Sequence, residues 1–171
     1  VTQYQLIDVI MGAQKVDGYS SRIYKTFTPA LRQSLTHFTL SGGNVMVSGA
    51  YIGSDMMAAD EQKFTADIFK YQLTGVQPND SITFVSGMNT ELTVYGRMNE
   101  VRYPVPRMDV ISPVGGAFPT MAYRPAGVSA AVAYQGADYH SLAFGFPLES
   151  ITDVEVRRSI FYAATQFLLN R

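Results

Sequence analysis

The sequence of 171 residues has no cysteine, no tryptophan and only two histidines. Without cysteine there is no disulfide, no thiolate-bound zinc, no iron–sulfur cluster and no thiol nucleophile. The two histidines, His37 and His140, form neither an HxH nor an HExxH spacing, so the sequence predicts no metal site. The dinucleotide pattern G-x-G-x-x-G is also absent, and we expect no cofactor.

Charge is scarce as well. Charged residues make up 16% of the chain, against about 25% in an average soluble domain. The 13 basic and 14 acidic residues nearly cancel, which excludes the basic footprint expected of a nucleic-acid partner. No apolar run reaches the roughly 18 residues of a transmembrane helix, and no segment resembles a signal peptide. With 47% hydrophobic residues, the sequence predicts a single domain over 1–171 with apolar surface left to face a partner.

The first half of the chain predicts a βαβ unit. Residues 4–12 (YQLIDVIMG) form a nearly continuous apolar run, typical of a strand buried on both faces. Thr28 and Pro29 form a helix-start signal, and the helix is expected to end near Ser41. Residues 44–49 (NVMVSG) are a second buried strand. A βαβ unit implies a parallel pair, so we expect a doubly wound, mainly parallel α/β sheet.

In the second half, residues 60–73 predict an amphipathic helix that closes at Gly75. Short β-type runs separated by Gly, Pro and Asn then predict strands, several of them antiparallel, over 81–85, 91–96, 109–114, 120–124, 128–134 and 139–145. A final helix is predicted over 153–170.

Three stretches, in order, resemble the class I glutamine amidotransferase-like fold, a flavodoxin-like architecture. Residues 4–13 (YQLIDVIMGA) are similar to the strand and glycine loop of its oxyanion hole, and 44–53 (NVMVSGAYIG) to its G-x-C-x-G nucleophile elbow. Residues 142–150 (LAFGFPLES) are similar to its His-Pro-Glu turn. More closely, 41–55 and 143–160 resemble a domain of large secreted proteins of Bacteroides-type bacteria that carry a xanthan lyase label.

This resemblance covers residues 4–75 and 128–171. It implies that 80–127 is an inserted β-rich segment and that the N-terminal part of the family fold lies before Val1. It also implies a secreted, periplasmic or cell-envelope location. The exposed side of the first strand is then expected to contact another copy of the chain or the residues missing at its N-terminus.

Tested position by position, the resemblance predicts a catalytically inactive domain with a binding or architectural role. The nucleophile position falls on Tyr51 or, one residue earlier, on Ala50, and neither is an effective acyl nucleophile. The base position falls on Phe146, which cannot transfer a proton. Glu149 is the one carboxylate near that turn, and its alternative role is to favour the N-terminus of the last helix.

A ligand site remains an expectation at the elbow, formed by Gly12, Ala50, Tyr51, Ser54, Asp55 and Phe146. Because the elbow is expected to open toward a helix N-terminus, a small acidic ligand would suit it. The alternative is that Ser54 or Asp55 simply caps that helix. A serine triad with Ser48 or Ser54 and His140 is disfavoured, because GxSxG is absent and the histidine precedes the base position by six residues.

The alternative function is a carbohydrate-active enzyme resembling a polysaccharide lyase, with Tyr51, His140 and Glu149 as its chemical groups. Tyrosines among the late strands suit a sugar-binding platform, although such residues commonly just pack a sheet: Tyr95, Tyr103, Tyr123, Tyr134 and Tyr139. A carbohydrate is therefore the second candidate ligand.

Overall fold

The computed structural model describes residues 4–16, 18–19, 24–97 and 103–169. The strands are β1 Leu6–Gly12, β2 Asn44–Gly49, β3 Tyr71–Pro78, β4 Ile82–Gly87, β5 Thr90–Tyr95, β6 Arg107–Pro113, β7 Phe118–Arg124, β8 Ser129–Gln135 and β9 His140–Phe144. The helices are α1 Pro29–Leu40, α2 Ala59–Phe64 and α3 Val154–Leu169, with a π-helical turn at Thr65–Phe69 and a 3₁₀ turn at Leu148–Ser150. No helix within these ranges is both long and apolar enough to cross a membrane.

Helix α1 begins where the sequence predicts. The hydroxyl of Thr28 accepts a hydrogen bond from the Leu31 amide at 3.3 Å, and Pro29 occupies the first helical position. Both features follow from local chemistry, because a capping oxygen satisfies one free amide and proline has no amide to satisfy.

The prediction of a doubly wound, mainly parallel, flavodoxin-like or amidotransferase-like sheet is wrong. The main sheet has seven strands in the order β1-β2-β9-β8-β7-β4-β5. Only β1–β2 and β2–β9 pair in parallel, and the other four pairings are antiparallel. Strands β3 and β6 form a separate antiparallel pair. Strand-to-strand turns, which need no crossover helix, build most of this sheet, so the fold is mostly β.

Strand β2 is the centre of the packed core. All six of its residues are buried, as predicted. Its alternate side chains enter two different clusters: Val45 and Val47 pack with Leu35 of α1, whereas Met46 packs with Ile160 of α3. Helix α1 with the π-helical turn thus covers one face of the parallel strands, and α3 covers the other.

The prediction that β1 is buried on both faces is wrong. Strand β1 pairs only with β2 and forms an edge of the sheet, and Ile10 is 59% exposed. The apolar run is the same in an edge strand and a central strand, so its position depended on tertiary structure.

The helix predicted over 60–73 ends early. After α2 and the π-helical turn, Lys70 adopts a left-handed conformation with φ of 56°, and strand β3 starts at the next residue. Gly75 lies inside β3 at a register shift and does not terminate a helix. The helical spacing of apolar residues continued into Tyr71 and Leu73, so periodicity alone did not mark the boundary.

The late strands and their antiparallel pairing are confirmed within one or two residues. Strands β4, β5 and β7, which lie in the segment 80–127, continue the main sheet beside β8. The predicted final helix is confirmed as α3 over Val154–Leu169, and residue 170 lies outside the described ranges.

Candidate functional site

Three predicted site segments meet where the parallel strands end. The Ala50 amide, just after β2, donates a 2.8 Å hydrogen bond to the Gly12 carbonyl at the end of β1. The 3₁₀ turn after β9 places Glu149 against the same glycine. Gly12 has φ of +56°, and a β-carbon there would lie 3.0 Å from Glu149 Oε1. Glycine is favoured at this position both by its left-handed conformation and by the close approach of the carboxylate.

Glu149 is held by a tyrosine that lies far from it in sequence. The hydroxyl of Tyr103 donates to Glu149 Oε1 at 2.7 Å. Burial and the neighbouring carboxylate both raise the pKa of Tyr103. Glu149 Oε2 is buried and has no hydrogen-bond partner among the described residues. The capping role considered for Glu149 belongs to Asp153, whose carboxylate accepts from the amides of residues 155 and 156 at the start of α3.

A second carboxylate, that of Asp8 on β1, interacts electrostatically with Glu149. Partial burial, followed by the negative charge of Glu149, raises the pKa of Asp8 from its usual 3.8 to about 6. Asp8 lies within β1, four residues before Gly12, so its charge is influenced by Glu149 without a hydrogen bond between the two carboxylates being observed.

The predicted elbow is a turn whose amides are already occupied. Asp109 Oδ2, on β6, accepts hydrogen bonds from the amides of Gly53 at 2.6 Å and Ser54 at 2.9 Å. Asp109 is 1% exposed, and its other oxygen has no partner among the described residues. Burial raises the pKa of Asp109, although the two amides act in the opposite direction. The donors that would bind an external anion instead bind a carboxylate of the chain itself.

No helix N-terminus follows the elbow directly, contrary to expectation. Helix α2 starts at Ala59, several residues after the turn. Asp55 is not its cap: Oδ2 of Asp55 accepts from the amide of Thr26 at 2.8 Å and from its hydroxyl at 3.1 Å, and Oδ1 accepts from the amide of Val16 at 3.2 Å. Asp55 therefore braces the segment that precedes α1.

The side chains at the positions predicted for the nucleophile and the base pack against the hydrophobic core. Phe146 is fully buried, with its ring centroid 6.2 Å from that of Tyr123 and 5.8 Å from that of Phe144. Tyr51 is partly buried against the same cluster, and the Lys15 ammonium lies 4.6 Å from its ring centroid. Ala50 is 1% exposed.

His140 lies at the other end of β9. Its amide donates to Asn44 Oδ1 at 2.7 Å, and its Nδ1 lies 2.9 Å from the Phe167 carbonyl. The rise of β9 from His140 to Phe144 alone is about 13 Å. His140 is therefore not brought together with Tyr51 or Glu149. Ser48 is 1% exposed within β2, so no serine triad forms around the elbow.

The five tyrosines considered as a sugar platform do not form one surface. Tyr123 is fully buried and donates to the Asp109 carbonyl at 3.0 Å, and Tyr103 binds Glu149. Tyr134 and Tyr139 form a ring pair with centroids 5.4 Å apart. Tyr95 lies on the edge strand β5.

Asp8 and Asp109 were not among the predicted site residues, and Tyr103 was predicted only as part of a sugar-binding platform, not as the partner of Glu149. Asp8 and Asp109 did carry a signal, since each interrupts an apolar strand pattern, IDV and MDV, with a carboxylate. Tyr103 carried none, because its partner lies 46 positions away.

No family model matches the chain, and no curated protein matches it in sequence. Solved structures do match it in fold. The mmIFT52 N-terminal domain aligns with TM-score 0.61 and 14% identity over 98% of this chain and 78% of its own. A cytoplasmic protein from Salmonella typhimurium aligns with TM-score 0.61 and 12% identity over 98% of this chain and 72% of its own.

A third structure is a much larger protein. The β-galactosidase from Bacillus circulans sp. alkalophilus aligns with TM-score 0.61 and 9% identity over 96% of this chain. The aligned region is 23% of the β-galactosidase chain, so the present chain spans about a quarter of that enzyme. At these identities the similarity establishes the fold alone.

Proposed function

We propose that this chain is a non-catalytic domain with a binding or architectural role. The observation that carries the proposal is the occupied elbow, where Asp109 binds the amides of Gly53 and Ser54. The amides of this turn must be free to bind an anionic group of a substrate, and these two are already bound to a carboxylate of the chain itself. The nucleophile and base positions, Tyr51 and Phe146, support the same proposal, because neither supplies the required chemistry.

The carbohydrate-active enzyme with Tyr51, His140 and Glu149 is the weaker alternative. Those groups do not converge, since His140 lies at the opposite end of β9 and is bound to α3. A base and an acid in a lyase must both reach one sugar ring.

An assay separates the two proposals. The protein is incubated with xanthan and, separately, with glutamine, while unsaturated uronate and ammonia are measured. We expect no product above the buffer rate. Product that disappears in Tyr51→Phe or Glu149→Gln, but persists in the matched exposed control Tyr24→Phe, would overturn the non-catalytic assignment.

Location and assembly stay predictions. The secreted or cell-envelope location derives from the resemblance alone. The surface available for a homo-oligomer is the edge of β1, where Tyr4 and Ile10 are 68% and 59% exposed. Light scattering of the purified chain tests whether a homo-oligomer forms. A monomer at all concentrations would contradict this prediction.

A further inference from the structure

A cleft on the described surface lies away from the elbow. It has a volume of about 720 Å³, within the range of roughly 300–1,000 Å³ typical of small-molecule sites. Gly42, which precedes β2, and Tyr139, which precedes β9, both line it. The cleft therefore lies at the N-terminal ends of the parallel strands β2 and β9, opposite the end of the sheet at which Gly12 lies.

Three elements form its walls. Helix α1 contributes Thr36, Thr39 and Leu40, and the turn between β8 and β9 contributes Ala137 and Asp138. The third wall is α2 with the π-helical turn, a helical irregularity that frequently occurs at functional sites. A site assembled from three separate elements has a shape fixed by the fold.

The cleft lies over the hydrophobic core and has an exposed apolar residue on its wall. Phe64 and Ile68 are each 7% exposed, and Leu40 on the wall is 79% exposed. Tyr139 anchors the π-helical turn, because its hydroxyl donates to the carbonyls of Asp67 at 2.8 Å and Ile68 at 3.1 Å. The π-helical wall is thereby tied to the turn that faces it.

The charges around the cleft balance. Lys63 and Asp67 form an ion pair at 2.6 Å, and Asp60 is paired with Arg32 at 2.8 Å. The remaining two charges, Lys70 and Asp138, are of opposite sign, and neither has an ion-pair partner within the described ranges. Strongly charged ligands therefore gain little here, whereas both donors and acceptors are available to a neutral polar one.

We propose that this cleft binds a neutral carbohydrate of one or two sugar units. A sugar presents an apolar face that can contact the accessible apolar groups of the lining, Leu40 and the ring of Tyr139, and it presents hydroxyls that both donate and accept. The carboxylate of Asp138 accepts from ligand hydroxyls at the rim. This inference rests on the proposed binding role and names the surface and ligand class for it.

Titration of the labelled protein with maltose, lactose and cellobiose, followed by amide NMR, tests the proposal. We expect shifts over 36–42 and 137–139 with at least one of these sugars, and a Kd of about 1 mM. Asp138→Asn is expected to weaken binding about tenfold, because it removes a charged hydrogen-bond acceptor. The matched control is Asp80→Asn, an exposed aspartate outside the cleft, which is expected to leave binding unchanged.

Three results would overturn the carbohydrate site: no cleft shifts with any of the three sugars, equal weakening by Asp80→Asn, or tighter binding of sodium glucuronate or glycine at the same amides. Each of them leaves the product assay for catalysis unaffected. The failure of this site and the failure of the non-catalytic assignment are therefore separate outcomes.

Discussion

The two ends of the parallel strands differ in what fills them. At the Gly12 end, the elbow amides are bound by Asp109 and the Glu149 carboxylate by Tyr103. At the opposite end, a cleft of about 720 Å³ remains open between three elements. The end for which the sequence predicted a motif is filled by side chains of the chain itself, whereas the end without a predicted motif has an open cleft. A motif thus indicates a backbone shape, and open volume is a separate property of the fold.

The largest expected effect comes from removing the carboxylate that closes the elbow. Asp109→Ala leaves the amides of Gly53 and Ser54 buried without an acceptor, which we expect to cost about 3 kcal/mol of unfolding free energy. For a chain of this length that lowers the Tm by roughly 8 °C, measured by thermal melting. Asp109→Asn keeps one acceptor oxygen and is expected to lose clearly less. Equal Tm values for Asp109→Ala and the parent chain would mean that the hydrogen bonds of Asp109 to the elbow amides do not stabilise the fold.

The second effect concerns the tyrosine on Glu149. Tyr103→Phe removes the donor to Oε1 and leaves both carboxylate oxygens without a partner among the described residues, at a cost of about 1.5 kcal/mol. Denaturant unfolding measures the loss. Glu149→Gln retains an acceptor for the tyrosine, so its loss is expected to be smaller; a larger loss in the glutamine variant would contradict this account.

The third effect depends on pH. Because the folded-state pKa of Asp8 is raised from 3.8 to about 6, the protonated form is favoured by folding. The stability it contributes is fully present below about pH 4 and is lost as pH rises through 6. Asp8→Asn should therefore stabilise the protein at pH 7 by about 1 kcal/mol, after allowance for solvent screening, and change little at pH 4. Melting curves of Asp8→Asn and the parent chain at both pH values test this pH dependence. Stabilisation at pH 4 but not at pH 7 would contradict it.

The smallest effect is expected at the open end. Asp138 is exposed and has no ion-pair partner within the described ranges, so Asp138→Asn should change unfolding free energy by less than about 0.5 kcal/mol. Chemical denaturation beside the Asp109 variants gives the comparison directly. If Asp138→Asn instead lowered the unfolding free energy as much as Tyr103→Phe, then Asp138 would stabilise the fold and the two ends of the strands would not differ in this respect.

Local chemistry made several elements predictable. The cap at Thr28 and Pro29, the buried strand β2 and the run of late strands depend on neighbours within a few residues, and all were predicted close to their observed bounds. The site was predictable in part: Gly12, Ala50 and Glu149 do meet at one end of the sheet.

The sequence by itself determined the absence of a thiol, the lack of a base at Phe146 and the pattern of strands and turns, because each is a property of residue identity or short-range spacing. Tertiary structure alone decided that β1 lies at an edge, that most strands pair antiparallel and that Asp109 occupies the elbow from 55 or 56 positions away. These depend on long-range packing, where one apolar run or one buried carboxylate has many compatible partners and only the folded chain selects among them.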